Sequence, residues 1–356
     1  MDRWRLRRLR RWLRGEAPRS RVRFGRLGVL APAEGIASLV LLATAAVALL
    51  FAARGDAGFL GTLLVYSGRW IWLVPVLGAA PLALLRARAA LPLAMALLLV
   101  LGPVMGGTLG LAGAWRRARL DAAAPRLRVL TYNVAGGDIV ALRLDDLMAE
   151  SRPDIALFQE CGALFGAALR RLEDYHVVTD TSCIASRWPL TSVTAMPRAD
   201  IEAAGGAGNA VRHLVEHPTG PLTITNVHLQ TPRWGLQFLF TDPAAAPHAI
   251  AENREIRAIE SRVARRWVDS TGGARIVAGD FNLPMDSRIY RTSWGDFEEA
   301  FDAAGVGFGY TRLNGWIRVR IDHVLSDGAW RAVHAEVLPD YGSDHRPLLA
   351  ELAWGR

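Results

Sequence analysis

Residues 275–284 read RIVAGDFNLP, an apolar run that ends in an acid and an amide. Ile276, Val277 and Ala278 have the character of a buried central strand, and Gly279 lets the chain turn sharply after them. Asp280 and Asn282 are therefore expected at the carboxyl end of that strand, where open α/β sheets place their ligands. Asp and Asn are also ordinary turn residues. The stretch gains meaning only if other strands deliver matching groups to the same place.

On either side of this stretch, short apolar runs alternate with polar or helical segments through the last two thirds of the chain. LRVLTYNV (residues 127–134) reads as a strand ending at Asn133, DIALFQE (154–160) as one ending at Glu160, and LTITNVHL (222–229) as one carrying Asn226 and His228. RIVAGDFN follows an expected helix over residues 249–269. RVRIDHVL supplies Asp322, and GSDHRPLLAEL places Asp344 and His345 ahead of a final strand. Mixed strands and helices of this kind imply a layered α/β domain. Taken singly, each polar group has an ordinary reading: a turn residue for Asn133, a helix N-terminal acid for Glu160, a satisfied core histidine for His228, a partner of Arg320 for Asp322, a cap for Asp344. Their recurrence at six strand ends sets them apart.

The first third is different. Of 356 residues 51% are hydrophobic, and the mean hydropathy of +0.16 is high for a wholly soluble chain. Residues 36–53, 70–85 and 89–113 are apolar runs close to the ~20 residues that cross a bilayer, so three transmembrane helices are expected. The second is short and contains Pro75 and Pro81, and residues 59–67 before it could form a re-entrant or interfacial piece. Buried helices of a soluble domain would show a polar face, which residues 36–53 lack. A cleaved signal peptide does not fit a first apolar run so far from the terminus.

The net charge of +8 divides unevenly. Residues 1–125 hold 18 Arg and 5 acidic groups, whereas residues 126–356 hold 24 Arg and 29 acidic groups; Lys is absent. Eleven Arg precede residue 27, including the pair Arg10 and Arg11, and read as a cytoplasmic flank ahead of the first span. That orientation puts residues 126–356 on the outer face, although Arg116, Arg117 and Arg119 argue the other way. A net negative carboxyl-terminal region also disfavours a long nucleic-acid track, leaving local patches such as Arg262, Arg265 and Arg266. Cys161 and Cys183 could pair outside the cytoplasm, but Cys183 in SCIAS is expected to be a free, buried residue.

The motifs TYNV, PDIALFQE, SRWPL, NVHL, VAGDFN, RIDHVL and GSDHRPLL, in this order over residues 127–353, resemble those of the endonuclease/exonuclease/phosphatase superfamily, the group of pancreatic deoxyribonuclease, neutral sphingomyelinases and inositol polyphosphate 5-phosphatases. The resemblance implies a four-layered α/β sandwich, two mainly antiparallel sheets flanked by helices. The expected organisation is a basic cytoplasmic segment (1–35), a three-helix transmembrane region (36–113), a linker (114–126) and a catalytic domain (127–356). The whole architecture is similar to membrane-anchored bacterial members linked to glycopeptide resistance of the teicoplanin type.

The same resemblance assigns roles. Glu160 is the principal metal ligand, supported by Asn133 and Asp344, for Mg²⁺ or Mn²⁺, hard ions that take oxygen ligands. His345 with Asp322 forms an acid/base pair, Asp280 lies beside the attacking water, Asn282 against the phosphate, and His228 donates to a non-bridging oxygen. After Asn133 the sequence VAGG lacks a carboxylate that some nuclease members carry, and no Cys/His set has zinc spacing. These readings lead to a membrane-anchored, extracytoplasmic, metal-dependent phosphohydrolase acting on a lipid-linked phosphate or diphosphate, with the bilayer as its second partner. The alternatives are a surface-anchored nuclease and a non-catalytic binding domain. For a lipid substrate, residues 231–240 and 307–316, with Trp234, Phe238, Phe240 and Trp316, are the expected rim.

Overall fold

The computed structural model describes residues 32–355 apart from 122 and 181; the arginine-rich segment read as a cytoplasmic flank lies outside the described residues up to residue 31. Two six-stranded sheets and a two-stranded ribbon, β10 (Arg312–Asn314) with β11 (Ile317–Val319), form the carboxyl-terminal region. Sheet one runs β13 (Trp330–Val337), β14 (Leu348–Trp354), β1 (Arg126–Gly136), β2 (Ile155–Cys161), β4 (Cys183–Ser186), β3 (His176–Thr179). Sheet two runs β5 (Leu190–Ala195), β6 (Asn209–His217), β7 (Gly220–His228), β8 (Arg275–Asp280), β12 (Asp322–Ser326), β9 (Glu298–Glu299). Each sheet is mixed, with one parallel pair, β1 with β2 and β7 with β8, and antiparallel neighbours elsewhere.

The period of two explains the layers. Leu127, Val129, Ile155 and Leu157 of sheet one meet Leu222, Ile224, Ile276, Ala278 and Val324 of sheet two in one buried cluster between the sheets. The alternate residues face outward. Leu130, Tyr132, Ala156 and Phe158 pack against Leu147 and Phe165 from the helices Leu144–Ser151 and Ala163–Leu169. Val227, Val277 and Leu325 pack against Ala264 and Val268 of the long helix Ala246–Asp269. The result is the expected α/β arrangement of two facing sheets flanked by helices.

The apolar first third forms two helical stretches long enough to cross a bilayer, Pro32–Ala53 and Ala87–Val104, or three if Phe59–Val65 and Arg69–Leu85, bent by 91° at their junction, count as one. Ala37, Ala79, Ala89 and Leu93 cluster at one end of this region; Phe51, Val65, Tyr66 and Val104 cluster at the other. That second end sits on the two-sheet region, because partly buried Leu236 packs into the same cluster. The third apolar run is longer than its helix. After Val104 the chain turns through Gly106 and Gly110, both at positive φ, and a separate helix, Leu111–Arg117, lies beside β13. Its arginines are used there: Arg116 pairs with Glu298 at 2.6 Å, and Arg117 donates to the Val333 carbonyl at 2.8 Å.

Candidate active site

The site lies where the gap between the sheets opens. On β8 the inward positions Ile276 and Ala278 are followed by Asp280, and on β7 the inward Ile224 and Asn226 are followed by His228, which pairs with Asp280 in register. Asp322 opens β12, but β12 runs antiparallel to β8, so Asp322 stands opposite Asp280 at the same edge. By the same logic His345, ahead of β14, lies near the carboxyl end of its antiparallel neighbour β1, where Asn133 is the next inward residue after Thr131. Antiparallel pairing thus gathers groups from strand beginnings as well as strand ends.

Glu160 breaks the alternation. Leu157 and Gln159 face inward, so a regular strand would turn Glu160 away. Its backbone instead adopts φ 55° beside a register shift between β1 and β2 at Asn133–Gly136. The carboxylate therefore reaches the site, where Asn133 Nδ2 donates to Glu160 Oε1 at 2.9 Å and to Asp280 Oδ2 at 3.0 Å. His228 Nε2 lies 3.5 Å from Glu160 Oε1. His345 Nδ1 meets Asp322 Oδ2 at 2.8 Å, and its Nε2 is 3.6 Å from Asp280 Oδ2. Asn282, also at positive φ (52°), donates its amide to Asp280 Oδ1 at 2.9 Å and one side-chain N–H to the Leu229 carbonyl at 2.9 Å. Its second side-chain N–H is left for a ligand.

Seven of the eight residues singled out in the sequence thus meet in one contact network. Asp344 does not join it: its half-exposed carboxylate forms an ion pair with Arg312. Sequence reading named Asn226 but not the layer beneath the site to which it belongs. Gln159 Nε2 donates to Asn226 Oδ1 at 2.7 Å and to Thr131 Oγ1 at 3.2 Å, a buried polar seam between the sheets. Its signal is a run of polar residues at inward positions of otherwise apolar strands. Ser343 was missed too; its hydroxyl donates to the Asn133 carbonyl at 2.8 Å and accepts from the His345 amide at 3.2 Å.

The electrostatics favour a cation. Burial alone would push the His345 imidazole down, but the Asp322 and Asp280 carboxylates outweigh it and raise it to about 9. Burial, then the Asp322 charge, push the Asp280 carboxyl up. Glu160, Asp280 and Asp322 bring three carboxylates to one opening, and a protonated His345 balances only one of them. The buried group Asp280, Asp322 and His345 offers ligand atoms within 4.8 Å of one another and could hold a metal ion. A carboxylate-rich set with excess negative charge suits a divalent ion that prefers oxygen.

The expectation of a free Cys183 is corrected. Cys161 and Cys183 are disulfide-bonded, with Cα atoms 6.2 Å apart. The physical reason is the kink at Glu160. It returns Cys161 to the outer face of sheet one, where Cys183 already lies opposite Phe158 on β4.

Residues 130–345 match the model of the Endonuclease/Exonuclease/phosphatase family, and the chain belongs to that family, whose members are phosphoesterases. Similar solved structures include a humanized TDP2 of D. rerio carrying 14 mutations (17% identity, 64% of this chain and 98% of that one, TM-score 0.51). Another is an endonuclease/exonuclease/phosphatase family protein of Bacteroides thetaiotaomicron (13%, 66% and 97%, TM-score 0.50). A third is ANGEL2, a 2',3'-cyclic phosphatase, in complex with adenosine-2',3'-vanadate (14%, 66% and 97%, TM-score 0.50). At these identities the likeness is one of fold. No curated protein matches the chain.

Proposed function

We propose that the chain is a membrane-anchored phosphohydrolase with its catalytic domain outside the cytoplasm, acting on a lipid-linked phosphate or diphosphate of the cell envelope. The observation that carries this reading is the position of the aromatic rim. The loop after His228 holds exposed Trp234 and Phe240, and Leu236 between them packs against the helical ends at Phe51, Val65 and Val104. Exposed Trp316 packs against Trp70, the rings tilted by 34° with centroids 5.3 Å apart. An opening flanked by Trp and Phe beside membrane-crossing ends suits a substrate presented at the bilayer surface. Tethering also raises the effective concentration of such a substrate.

Three further observations support the orientation and class. Two of the three arginines that argue for a cytoplasmic linker are engaged, Arg116 with Glu298 and Arg117 with the Val333 carbonyl, so these two need not mark a cytoplasmic side. A disulfide fits an oxidising compartment. Arg265, one of the local basic candidates, is bound to Asp269 and Asp296, which weakens a nucleic-acid track there. A helical anchor joined to this catalytic fold also keeps the resemblance to the glycopeptide-resistance type, with residues 36–113 as anchor, 114–126 as linker and 127–356 as the catalytic domain.

In this reading Glu160 would hold Mg²⁺ or Mn²⁺ with support from Asn133, whose side-chain N–H fixes the Glu160 carboxylate, and Asp344 would contribute only by leaving Arg312. The ion would neutralise charge on the phosphoryl oxygens. His345 carries a proton at Nε2, fixed by Asp322 on Nδ1, and serves as acid/base. Asp280 orients the attacking water. Asn282 and His228 donate to non-bridging oxygens as charge develops there.

The test compares substrates. Replacing Trp234, Phe238 and Phe240 with Ser should reduce hydrolysis of a lipid diphosphate in bilayers about tenfold while sparing a short-chain soluble analogue. Equal losses on both would remove the lipid reading, and faster cleavage of DNA than of either would favour a nuclease.

A further inference from the structure

We propose that residues 54–69, the loop and short helix Phe59–Val65 that follow the helix Pro32–Ala53 and lead into Arg69–Leu85, are a positioning element of the active site that holds the Asn282 loop in its working conformation. This inference rests on the role given to Asn282 above. The contact is direct. Tyr66 Oη donates to the Asn282 carbonyl at 3.1 Å, Arg257 Nη2 donates to the same oxygen at 3.0 Å, and Arg257 also hydrogen-bonds the Tyr66 hydroxyl. All three residues are buried. Asn282 is held at φ 52°, a left-handed conformation that asparagine adopts more readily than other residues with side chains, and the Tyr66 and Arg257 bonds to its carbonyl fix it there.

The far end of the same loop is gripped as well. Fully buried Asp56 accepts from Ser287 Oγ and from the Arg288 amide, both at 2.8 Å, so it caps the helix Arg288–Ser293 alongside Ser287. Arg69 pairs with Asp286 at 2.9 Å, and Arg291 donates to the Phe51 carbonyl at 2.8 Å. Gly55, at φ 53°, passes so close that a Cβ there would overlap the Asp286 carbonyl oxygen. Asp56 and Arg257 lie 4.0 Å apart across the boundary between helical and catalytic regions. A buried charge is costly without a partner, and each finds its opposite charge in the other region. The Asn282 loop is therefore complete only when the helical region is seated.

The experiment uses the full chain in detergent with Mg²⁺ and bis(4-nitrophenyl) phosphate as a small soluble probe, which removes any effect of bilayer presentation. Tyr66→Phe should lower kcat about fivefold with KM within twofold, the loss of one hydrogen bond acting through Asn282. Asn282→Ala should lower kcat about a hundredfold. The double variant should be no worse than Asn282→Ala alone, a non-additivity that a merely structural role for Tyr66 would not produce. Additive losses, or Tyr66→Phe within twofold of the parent, overturn the proposal. Hydrogen exchange gives a readout independent of turnover. Tyr66→Phe and Asp56→Asn should each speed exchange of amides 282–288 at least tenfold while leaving β1 unchanged, and unaltered exchange in that loop overturns the proposal. If Asn282→Ala keeps full turnover, the catalytic role of Asn282 falls, and the exchange data still decide whether residues 54–69 hold the loop.

Discussion

The two sheets bring their site groups to one opening by opposite means. Sheet two delivers Asp280 and His228 by plain alternation, each the next inward residue of a regular strand. Sheet one delivers Glu160 by breaking alternation, with a positive φ and a register shift. What stabilises each is different too. The Glu160 kink is tied down within its own sheet by the bond between Cys161 and Cys183. The residues that follow Asp280 are tied down from outside, by Tyr66, Asp56 and Arg69. A regular strand can aim a carboxylate without help, whereas a residue held against its backbone preference needs a second attachment.

The largest effect is expected where sheet one departs from regularity. Glu160→Ala should lower metal-dependent turnover about ten-thousandfold, because it removes the carboxylate proposed to hold the ion, while the melting temperature stays unchanged. Glu160 is 46% exposed, so its loss leaves no cavity to destabilise the fold. Near-normal turnover of purified variant at ordinary Mg²⁺ would shift the ion to the Asp280, Asp322 and His345 group.

Next come the groups that sheet two and the β14 loop place against each other. His345→Ala and Asp322→Asn should each cost about a thousandfold in kcat, and the double variant should be little worse than the worse single. The pair acts as one unit because Asp322 fixes His345 Nδ1 at 2.8 Å. Full additivity in the measured rates would separate their roles and break the pairing.

The disulfide is a smaller term. It closes a loop across a sequence separation of 22 residues, for which chain entropy gives about 3 kcal/mol of stability. Cys161→Ser with Cys183→Ser should lower stability by about that amount in denaturant titration and should also reduce turnover, since the kink that aims Glu160 adjoins Cys161. Identical titrations with and without reductant would show that sheet one holds its kink unaided.

How far the sequence spoke follows the same division. The strand 275–280 was readable because three apolar residues and a glycine precede Asp280, and the motif order led to the family that residues 130–345 match. The disulfide was not readable, since counting alternation from Leu157 sends Cys161 inward; only the unforeseeable φ at Glu160 reverses it. The apolar run over residues 89–113 showed composition but not the turn after Val104 that ends the helix. Tyr66 and Asp56 left no local signal at all. Their partners Asn282 and Ser287 lie 216 and 231 residues away, and a tyrosine and an aspartate between two apolar runs look like ordinary connecting residues.

The smallest effect sharpens the contrast between the sheets' interiors. Sheet one lines the shared core with Leu127, Val129, Ile155 and Leu157, none of which ionises. Sheet two carries His213 on the face shared by Val215 and Ile224, fully buried, with neither ring nitrogen hydrogen-bonded among the described residues. Burial pushes its imidazole down from 6.5 to about 4. The folded state therefore binds the proton less readily than the unfolded state. The neutral imidazole is accommodated in full above pH 6.5, and stability is lost as pH falls from there towards 4. Linkage gives a loss of about 1 kcal/mol by pH 6 and about 2 kcal/mol by pH 5. Chemical denaturation of the full chain in detergent at pH 7, 6 and 5 should show this component, and His213→Leu should lack it. The other titrating groups stay the same in both proteins, so the difference between the two pH profiles isolates sheet two's core. Parallel profiles would mean that His213 finds a hydrogen-bond partner for its charged form inside the sheet, and sheet two's interior would then be as indifferent to acid as that of sheet one.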